Sequence, residues 1–242
     1  MKLIHSGILL IFAVLFFSTG CKKDTKKTNS YTCTTCKTTP DALAANDASS
    51  KGVYKGVVIG STGTIMFDVL NGGNTITATM VIDGTTVILT SSISWTAGVS
   101  YVAPFTGMLN GSPVSITFNV DQNGGNPTVT SSSIPGHPSA TFTLAKESST
   151  SLIESYEGTY STTKPEKGTF NLLLSRTLLK FGGIARKDGD TSIDDFNGTI
   201  TADGKLMESG TTYIGTLSGD AIDGSFKDGN GISITITGKR TL

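Results

Sequence analysis

The pair Cys33 and Cys36, separated by two threonines, is the feature of this chain whose spacing fits a known chemistry most directly. A CxxC pair exchanges disulfides when it opens a helix in a thioredoxin-like setting, because the helix N-terminus lowers the pKa of the thiol. The same spacing also serves zinc, which needs four ligands, and c-type haem, which needs a histidine directly after the second cysteine.

The surroundings of the pair favour a plain disulfide. Cys33 and Cys36 lie in a threonine-rich stretch ahead of a β-rich region, no further cysteine follows them, and Lys37 stands where a haem histidine would be. In an oxidising compartment two such thiols pair with each other. We therefore predict a local disulfide, with redox activity left open, and no metal or other cofactor.

Histidine and serine supply no catalytic set. His5 belongs to the N-terminal targeting segment, and His137 stands alone in the proline-containing stretch 134–138, which predicts an exposed loop. The chain has no Gly-x-Ser-x-Gly sequence, the usual setting of a serine nucleophile. We therefore expect no enzymatic activity.

Acidic side chains concentrate in the run Asp188, Asp190, Asp194 and Asp195. An EF-hand calcium loop would need glycine at Ile193 and glutamate at Thr199, which excludes that loop. Neighbouring carboxylates in a turn also give no sign of the separation that glycoside hydrolysis requires. A solvated acidic turn and an irregular calcium site both remain open.

Trp95 is the chain's only tryptophan and the best candidate, with Tyr101, for a platform on which a sugar ring stacks. Trp95 shares the parity of Ile93, Val99 and Tyr101, and in a strand residues of one parity face the same side. Because an apolar parity usually faces the core, core packing is the competing interpretation.

The N-terminus predicts export and lipidation. Lys2 precedes an apolar run at 7–17, which is too short to span a bilayer and typical of a signal peptide. The run ends in Ser18-Thr-Gly-Cys21, which resembles the lipobox of bacterial lipoproteins. That resemblance implies a signal peptide at 1–20 and diacylglycerol on Cys21, which would anchor the protein to a membrane.

Residues 21–51 follow as a polar, basic tether that contains the CxxC pair, and we expect its opening to be a solvated spacer. Charged residues directly after the cysteine, Lys22-Lys23-Asp24, resemble the export signals of surface lipoproteins in the Bacteroidetes group. The resemblance implies a lipid anchor in the cell envelope, at the outer membrane, with a surface-facing or a periplasmic orientation both open.

Composition and charge narrow the class further. Lysine plus arginine equals aspartate plus glutamate at 19 each, so no net field attracts nucleic acid, and we expect no nucleic-acid partner. Only 16% of residues are charged, while Gly, Thr and Ser are abundant. This composition indicates strands and turns rather than helices.

Several segments alternate apolar and small polar residues at period two, as half-buried strands do. Asn-Gly and Asp-Gly turns separate them about every ten residues, which predicts antiparallel hairpins. The clearest alternating segments are 65–69, 76–82, 114–120 and 232–236.

An aromatic-x-Gly-x-apolar motif recurs along the chain, and its three fixed positions share one face of a strand. A glycine inside a strand leaves a gap, which a neighbouring aromatic ring can cover. We therefore predict that each motif glycine lies under an aromatic ring. The five copies begin at Tyr54, Phe105, Tyr156, Phe196 and Tyr213.

The motifs and strands indicate an internal duplication of roughly 90 residues. We predict β modules at 52–146 and 155–242, joined by a polar linker at 147–154. Tyr54 to Phe67 parallels Tyr156 to Phe170, Phe105 parallels Phe196, and 140–144 parallels 232–236. The predicted fold is all-β and antiparallel, with two homologous meander-type modules that form barrels or sandwiches.

Each module begins with a Gly/Tyr-rich strand, at 52–54 and 158–160, that resembles those of lipocalins and avidins; no ligand residues carry over. The first module has only five charged side chains, against about ten of each sign in the second. Its outward Thr, Ser and Asn side chains are cheap to desolvate, which suits a polysaccharide or an envelope protein. We therefore expect a non-enzymatic binding or structural module; a barrel that carries a small apolar ligand, and an accessory to a carbohydrate-active enzyme, are the alternatives.

Overall fold

A computed structural model describes residues 31–60 and 62–242. These residues form two antiparallel sheets of eight strands each, rolled into barrels and connected as an up-and-down meander. The all-β, antiparallel, two-module fold predicted from the sequence is confirmed; the second module is a closed barrel, and the first is a barrel-like sheet with two edges. No helix among the described residues is long and apolar enough to cross a membrane. The predicted signal peptide at 1–20 and the predicted lipidation site Cys21 lie outside the described residues.

Barrel 1 is the sheet of strands β1 to β8, in which the strands from β1 to β7 pair in sequence order and β8 pairs with β1. Strands β7 and β8 are its two edges. The strands are β1 (Gly52–Ile59), β2 (Gly63–Val69), β3 (Ile76–Ile82), β4 (Thr85–Thr90), β5 (Tyr101–Leu109), β6 (Ser112–Val120), β7 (Thr128–Ser133) and β8 (Thr141–Lys146).

Barrel 2 is formed by β9 to β16 and closes completely, because β16 pairs with β9. Closure leaves no unpaired strand edge, the feature through which open sheets associate. The strands are β9 (Glu154–Thr162), β10 (Lys167–Ser175), β11 (Lys180–Lys187), β12 (Asp194–Ile200), β13 (Lys205–Glu208), β14 (Thr212–Ser218), β15 (Ala221–Lys227) and β16 (Ser233–Arg240).

Tight hairpins connect the strands where the sequence predicts turns. Asp83-Gly84 joins β3 to β4 with φ of 46° and 77°, and Asn110-Gly111 joins β5 to β6 with φ of 50° and 82°. Two successive positive φ angles define the type I′ turn, whose twist matches that of the flanking strands. The Asn-Gly and Asp-Gly pairs are thus what sets the hairpin register here.

The duplication is visible in the pairing of the first two strands of each barrel, although the registers differ. Gly56 of β1 faces Ile65 of β2, whereas Gly158 of β9 faces Phe170 of β10. Phe67 is therefore not the counterpart of Phe170, since it faces Tyr54 instead. In the first hairpin of the two modules, the phenylalanine of the second strand therefore differs by two residues in its position relative to the first strand.

The predicted parallel between Phe105 and Phe196 is wrong. Phe105 lies in the fifth strand of barrel 1, whereas Phe196 lies in the fourth strand of barrel 2. The aromatic-x-Gly motif can occur in any strand whose aromatic residue and glycine face the interior. It therefore indicates a type of packing and does not identify equivalent strands of the two modules.

The prediction that a ring covers every motif glycine is confirmed at Gly158, where a Cβ would overlap Phe170, and at Gly198, where it would lie 2.9 Å from the Phe181 ring. In both cases the ring comes from a neighbouring strand. Leucine and isoleucine side chains cover Gly56, Gly107 and Gly215 instead, so the prediction is wrong there. Any bulky side chain at the facing position fills the gap.

The segment 31–51, the later part of the predicted tether at 21–51, lies against both barrels, while the opening predicted to be solvated, 21–30, lies outside the described residues. Tyr31 bridges to Gly219 of barrel 2, and Ala44–Asn46 forms a 3₁₀ turn against barrel 1. Lys146 Nζ donates to the carbonyl oxygens of Asn46 and Ser49 at 2.8 and 2.5 Å. These hydrogen bonds from the Lys146 ammonium to main-chain carbonyl oxygens hold the segment against barrel 1.

The polar linker at 147–154 is largely buried, although Thr150 within it is exposed. Glu147 is 0% exposed and lies 2.6 Å from Lys55 Nζ, and Glu154 is 3% exposed. Beside this linker Val57 of β1 packs against Ile153 and Leu173 in a small core between the barrels. The buried polar side chains of this linker pair with residues outside it, such as Glu147 with Lys55 and Glu154 with Arg176, which composition alone does not reveal.

Candidate functional site

A cavity of about 340 Å³ opens at one end of barrel 2. Apolar side chains from several strands form its wall, among them Leu172, Leu206 and Ile236, which are all buried. The size and the apolar lining are those of a pocket for a small molecule. It is the feature of the described residues most suited to holding a ligand.

Small inward side chains make room for this cavity. On β11, Gly183 and Ala185 share the inward parity with Phe181, and Ala185 lines the cavity. The aromatic rings of barrel 2 are also widely spaced, with 6.4 Å between the centroids of Phe170 and Phe196. Barrel 2 therefore lacks the side-chain volume to fill its open end.

Barrel 1 is filled by aromatic side chains at the corresponding depth. The rings of Phe67 and Phe118 stack with centroids 4.4 Å apart, and Phe105 meets Phe67 edge-on at 4.9 Å. Tyr54 extends the cluster at 5.1 Å from Phe118. Interdigitated rings of this kind leave no space for a ligand.

Carboxylates surround the mouth of the barrel 2 cavity. They lie at the ends of strands and in turns, and no lysine, arginine or histidine lines the cavity with them. Burial raises the pKa of the Tyr160 hydroxyl on the cavity wall, and the negative charges of Asp194 and Glu166 raise it further. The charged side chains that line the cavity are therefore all acidic. Its acidic residues are Glu166, Asp194, Asp195, Glu208 and Asp228.

The opposite end of barrel 2 is closed by a charged network. Arg176 and Arg240 both approach Glu154, at 2.8 and 3.7 Å, and both lie 3.6 Å from Asp220. Tyr156 donates its hydroxyl proton to Glu154 at 2.9 Å, and burial raises the pKa of that hydroxyl. Because these groups satisfy each other, the network serves as a plug and not as a reactive site.

Trp95 and Tyr101 lie together at one end of barrel 1. Trp95 is half-buried outside any strand, packs against the core, and donates Nε1–H to Ser50 Oγ at 2.8 Å. The buried Tyr101 donates its hydroxyl proton to the Ile93 carbonyl at 2.9 Å. The parity interpretation is wrong for the rest of this segment, since the side chains of Ile93 and Val99 are exposed. Lys51 Nζ sits 4.3 Å from the Trp95 ring centroid, where a stacked sugar would have to lie.

The CxxC pair lies near the closed end of barrel 2. Cys33 and Cys36 form a disulfide, and the Cys33 amide donates to Asp220 Oδ2 at 2.8 Å. No helix begins at the pair in the described residues, so the pair does not have the helix N-terminal position of a thioredoxin-like redox site.

The acidic run 188–195 separates into two groups. Asp190 accepts the amides of Thr191 and Ser192, as in a solvated turn, while Asp194 and Asp195 line the cavity mouth. In the described part of the chain, no three His, Cys, Asp or Glu side chains gather as a metal site. His137 is half-buried rather than exposed, with Nε2 at 3.6 Å from Asp83 Oδ2.

Sequence reasoning missed the wall and mouth of this cavity. The signal that was available is the set of small residues at inward positions of β11, combined with acidic residues two positions from inward aromatics, as in Asp194-x-Phe196 and Phe226-x-Asp228. At period two such pairs share one face.

No family model, curated protein or solved structure matches the chain.

Proposed function

We propose that this protein is a non-enzymatic binding protein of the cell envelope, anchored by lipid on Cys21, whose second barrel holds a small, mainly apolar ligand. The observation that carries the ligand proposal is the cavity of about 340 Å³ in barrel 2, open at one end and walled by apolar side chains. Removing apolar surface from water provides about 25 cal/mol per Å², enough for a small ligand to bind in a preformed pocket.

The anchor proposal rests on the lipobox-like Ser18-Thr-Gly-Cys21 after an apolar run. Acyl chains on Cys21 would hold the protein on a membrane, at about 0.8 kcal/mol per buried methylene. Cys21→Ala is expected to move the protein from the membrane fraction to the soluble fraction. A wild-type protein that takes up no labelled fatty acid would contradict the anchor.

The cavity is tested with the Cys21→Ala form, purified without detergent, and the neutral apolar fluorophore N-phenyl-1-naphthylamine. We expect saturable fluorescence enhancement with one site per chain. Ala185→Phe should abolish it by filling the cavity, while Ala103→Val, in the packed core of barrel 1, should leave it unchanged. Enhancement that survives Ala185→Phe would place the fluorophore elsewhere and contradict the cavity as the site.

A second candidate function belongs to barrel 1, on whose outer face polar Thr, Ser and Asn side chains alternate with buried ones. Thr79, Thr117 and Asn119 are half-exposed there, and residues 84–120 contain no charged side chain. Ile88 and Met108 are more than half exposed on the same sheet. Such a neutral surface suits a polysaccharide or another envelope protein. Loss of glycan-array binding in Thr117→Lys would support this candidate.

A further inference from the structure

The mouth of the barrel 2 cavity combines two features that select one kind of ligand head group. Asp194, Glu208 and Asp228 each stand two positions from an inward apolar residue: Phe196, Leu206 and Phe226, respectively. All three carboxylates line the cavity at the rim of its apolar wall. Asp194 and Glu208 lie at strand ends, where period two keeps them on the inward face, and Asp228 directly follows β15.

Most of this acidic charge is not neutralised within the described residues. Glu166 pairs with Lys187 at 3.2 Å, and Asp228 accepts the amides of Asn230 and Ile232. Asp194, Asp195 and Glu208 have no ion pair or side-chain hydrogen bond with any residue that the structure describes. Three carboxylates therefore stand unpaired around one opening.

The apolar wall beneath them strengthens their effect on a bound molecule. Charges of one sign at the rim of a low-dielectric cleft focus the field and concentrate counter-ions there. Tyr160 and Phe226 also line the mouth, and a cation gains further attraction over the face of such rings. An anion at the same place would be repelled by the carboxylates and would find no cationic side chain among those lining the cavity.

We infer that the ligand is an amphipathic cation, with a primary amine or quaternary ammonium group at the acidic mouth and a short apolar body against the wall. This inference rests on the proposed ligand-binding function of barrel 2 and adds the charge of the ligand to it. The apolar body supplies the affinity that any apolar ligand would have, and the head group supplies the selection.

The test compares three molecules that share one alkyl chain: octylammonium, octanol and octanoate. Each displaces N-phenyl-1-naphthylamine from the Cys21→Ala protein at pH 7 and low salt, below its micelle-forming concentration. We expect octylammonium to bind roughly tenfold more tightly than octanol, a factor that corresponds to about 1.4 kcal/mol, and octanoate to bind most weakly. Raising the ionic strength should reduce the preference, because salt screens exposed charges.

Two variants that each remove one negative charge show where the preference arises. Asp194→Asn, at the mouth, should reduce the preference for octylammonium and leave the affinity for octanol unchanged. Asp203→Asn, in the turn between β12 and β13 at the closed end, should change neither.

The outcomes separate the two proposals. If octanol binds and octylammonium binds no more tightly than octanoate, the cationic ligand is refuted while the ligand-binding barrel stands. An equal loss of preference in Asp194→Asn and Asp203→Asn would also refute the mouth as the source of selection. If the fluorophore does not bind at all, the proposed function fails, and the inference fails with it.

Discussion

At the scale of single residues, the aromatic-x-Gly motif shows what a short pattern can specify. The sequence correctly predicts that a bulky side chain covers Gly158, because a glycine inside a strand leaves a gap that a neighbour must fill. It does not identify the covering side chain, which depends on the register of the neighbouring strand. Gly158 faces Phe170, whereas Gly56 faces Ile65, which lies two residues before Phe67. The register of the whole hairpin decides which side chain faces the glycine.

Gly158→Ala should therefore be far more costly than its size suggests. The added Cβ would overlap the Phe170 ring and lie 2.5 Å from the Thr237 carbonyl oxygen, which is backbone and cannot move aside. Overpacking of this kind lowers the free energy of unfolding by about 1 to 3 kcal/mol. Chemical denaturation of the variant measures it.

Gly229→Ala is the matched control, since a Cβ at that turn position meets nothing within 4 Å and its φ is not in the left-handed region. Equal denaturation midpoints for the two variants would show that the space above Gly158 is open after all.

At the scale of elements, alternation and turn chemistry predict most strands, since hairpins are local and period two is easily recognised. The prediction fails at 91–100, where the apolar parity of Ile93, Trp95 and Val99 imitates a strand. That segment is a loop in which Ile93 and Val99 are exposed, while Trp95 packs against the core and Tyr101, at the start of β5, is buried in it. Alternation also does not show whether a barrel is filled, because filling depends on which inward side chains meet across the interior.

Replacing one inward alanine of each barrel by leucine tests whether barrel 1 is packed more tightly than barrel 2. Ala103 is 0% exposed in the aromatic core of barrel 1, so Ala103→Leu should lower the free energy of unfolding by about 1 to 3 kcal/mol. Ala185 lines the cavity of barrel 2, so Ala185→Leu enters empty space and should leave stability unchanged or raised. Equal destabilisation in urea titrations would mean that barrel 2 is as tightly packed as barrel 1.

At the scale of the whole molecule, hydrogen bonds between residues far apart in the chain hold the segment 31–51 and the two barrels together. Sequence patterns do not predict these contacts. Arg240 Nη2 donates to the Lys37 carbonyl, Asn171 Nδ2 to the Val58 carbonyl, and Arg186 Nη1 to the Ser139 carbonyl. These pairs are separated by 203, 113 and 47 residues. No local pattern reveals such partners, which is why composition indicated only a tether and a polar linker for segments that pack against the barrels.

The ion pair of Lys55 and Glu147 is the buried centre of this arrangement. Their side chains are 1% and 0% exposed, and Glu147 also accepts the amides of Asp41 and Ile153. One carboxylate thus joins barrel 1, the segment before it and the linker to barrel 2. Glu147→Ala would leave the Lys55 ammonium buried near Asp41 alone, 3.8 Å away, together with unsatisfied amides.

We expect Glu147→Ala to lower the free energy of unfolding by about 3 to 5 kcal/mol, the usual cost of breaking a buried pair from one side. Glu166→Ala removes a carboxylate from a more exposed ion pair, in which the Glu166 and Lys187 side chains are 44% and 48% exposed. It should lower the free energy of unfolding by only about 0 to 1 kcal/mol. Urea unfolding followed by tryptophan fluorescence reports on barrel 1 through Trp95, and circular dichroism reports on both barrels. Because Glu147 holds the junction, its loss should also separate the two transitions, whereas coincident transitions at an unchanged midpoint would show that the barrels are coupled by other contacts.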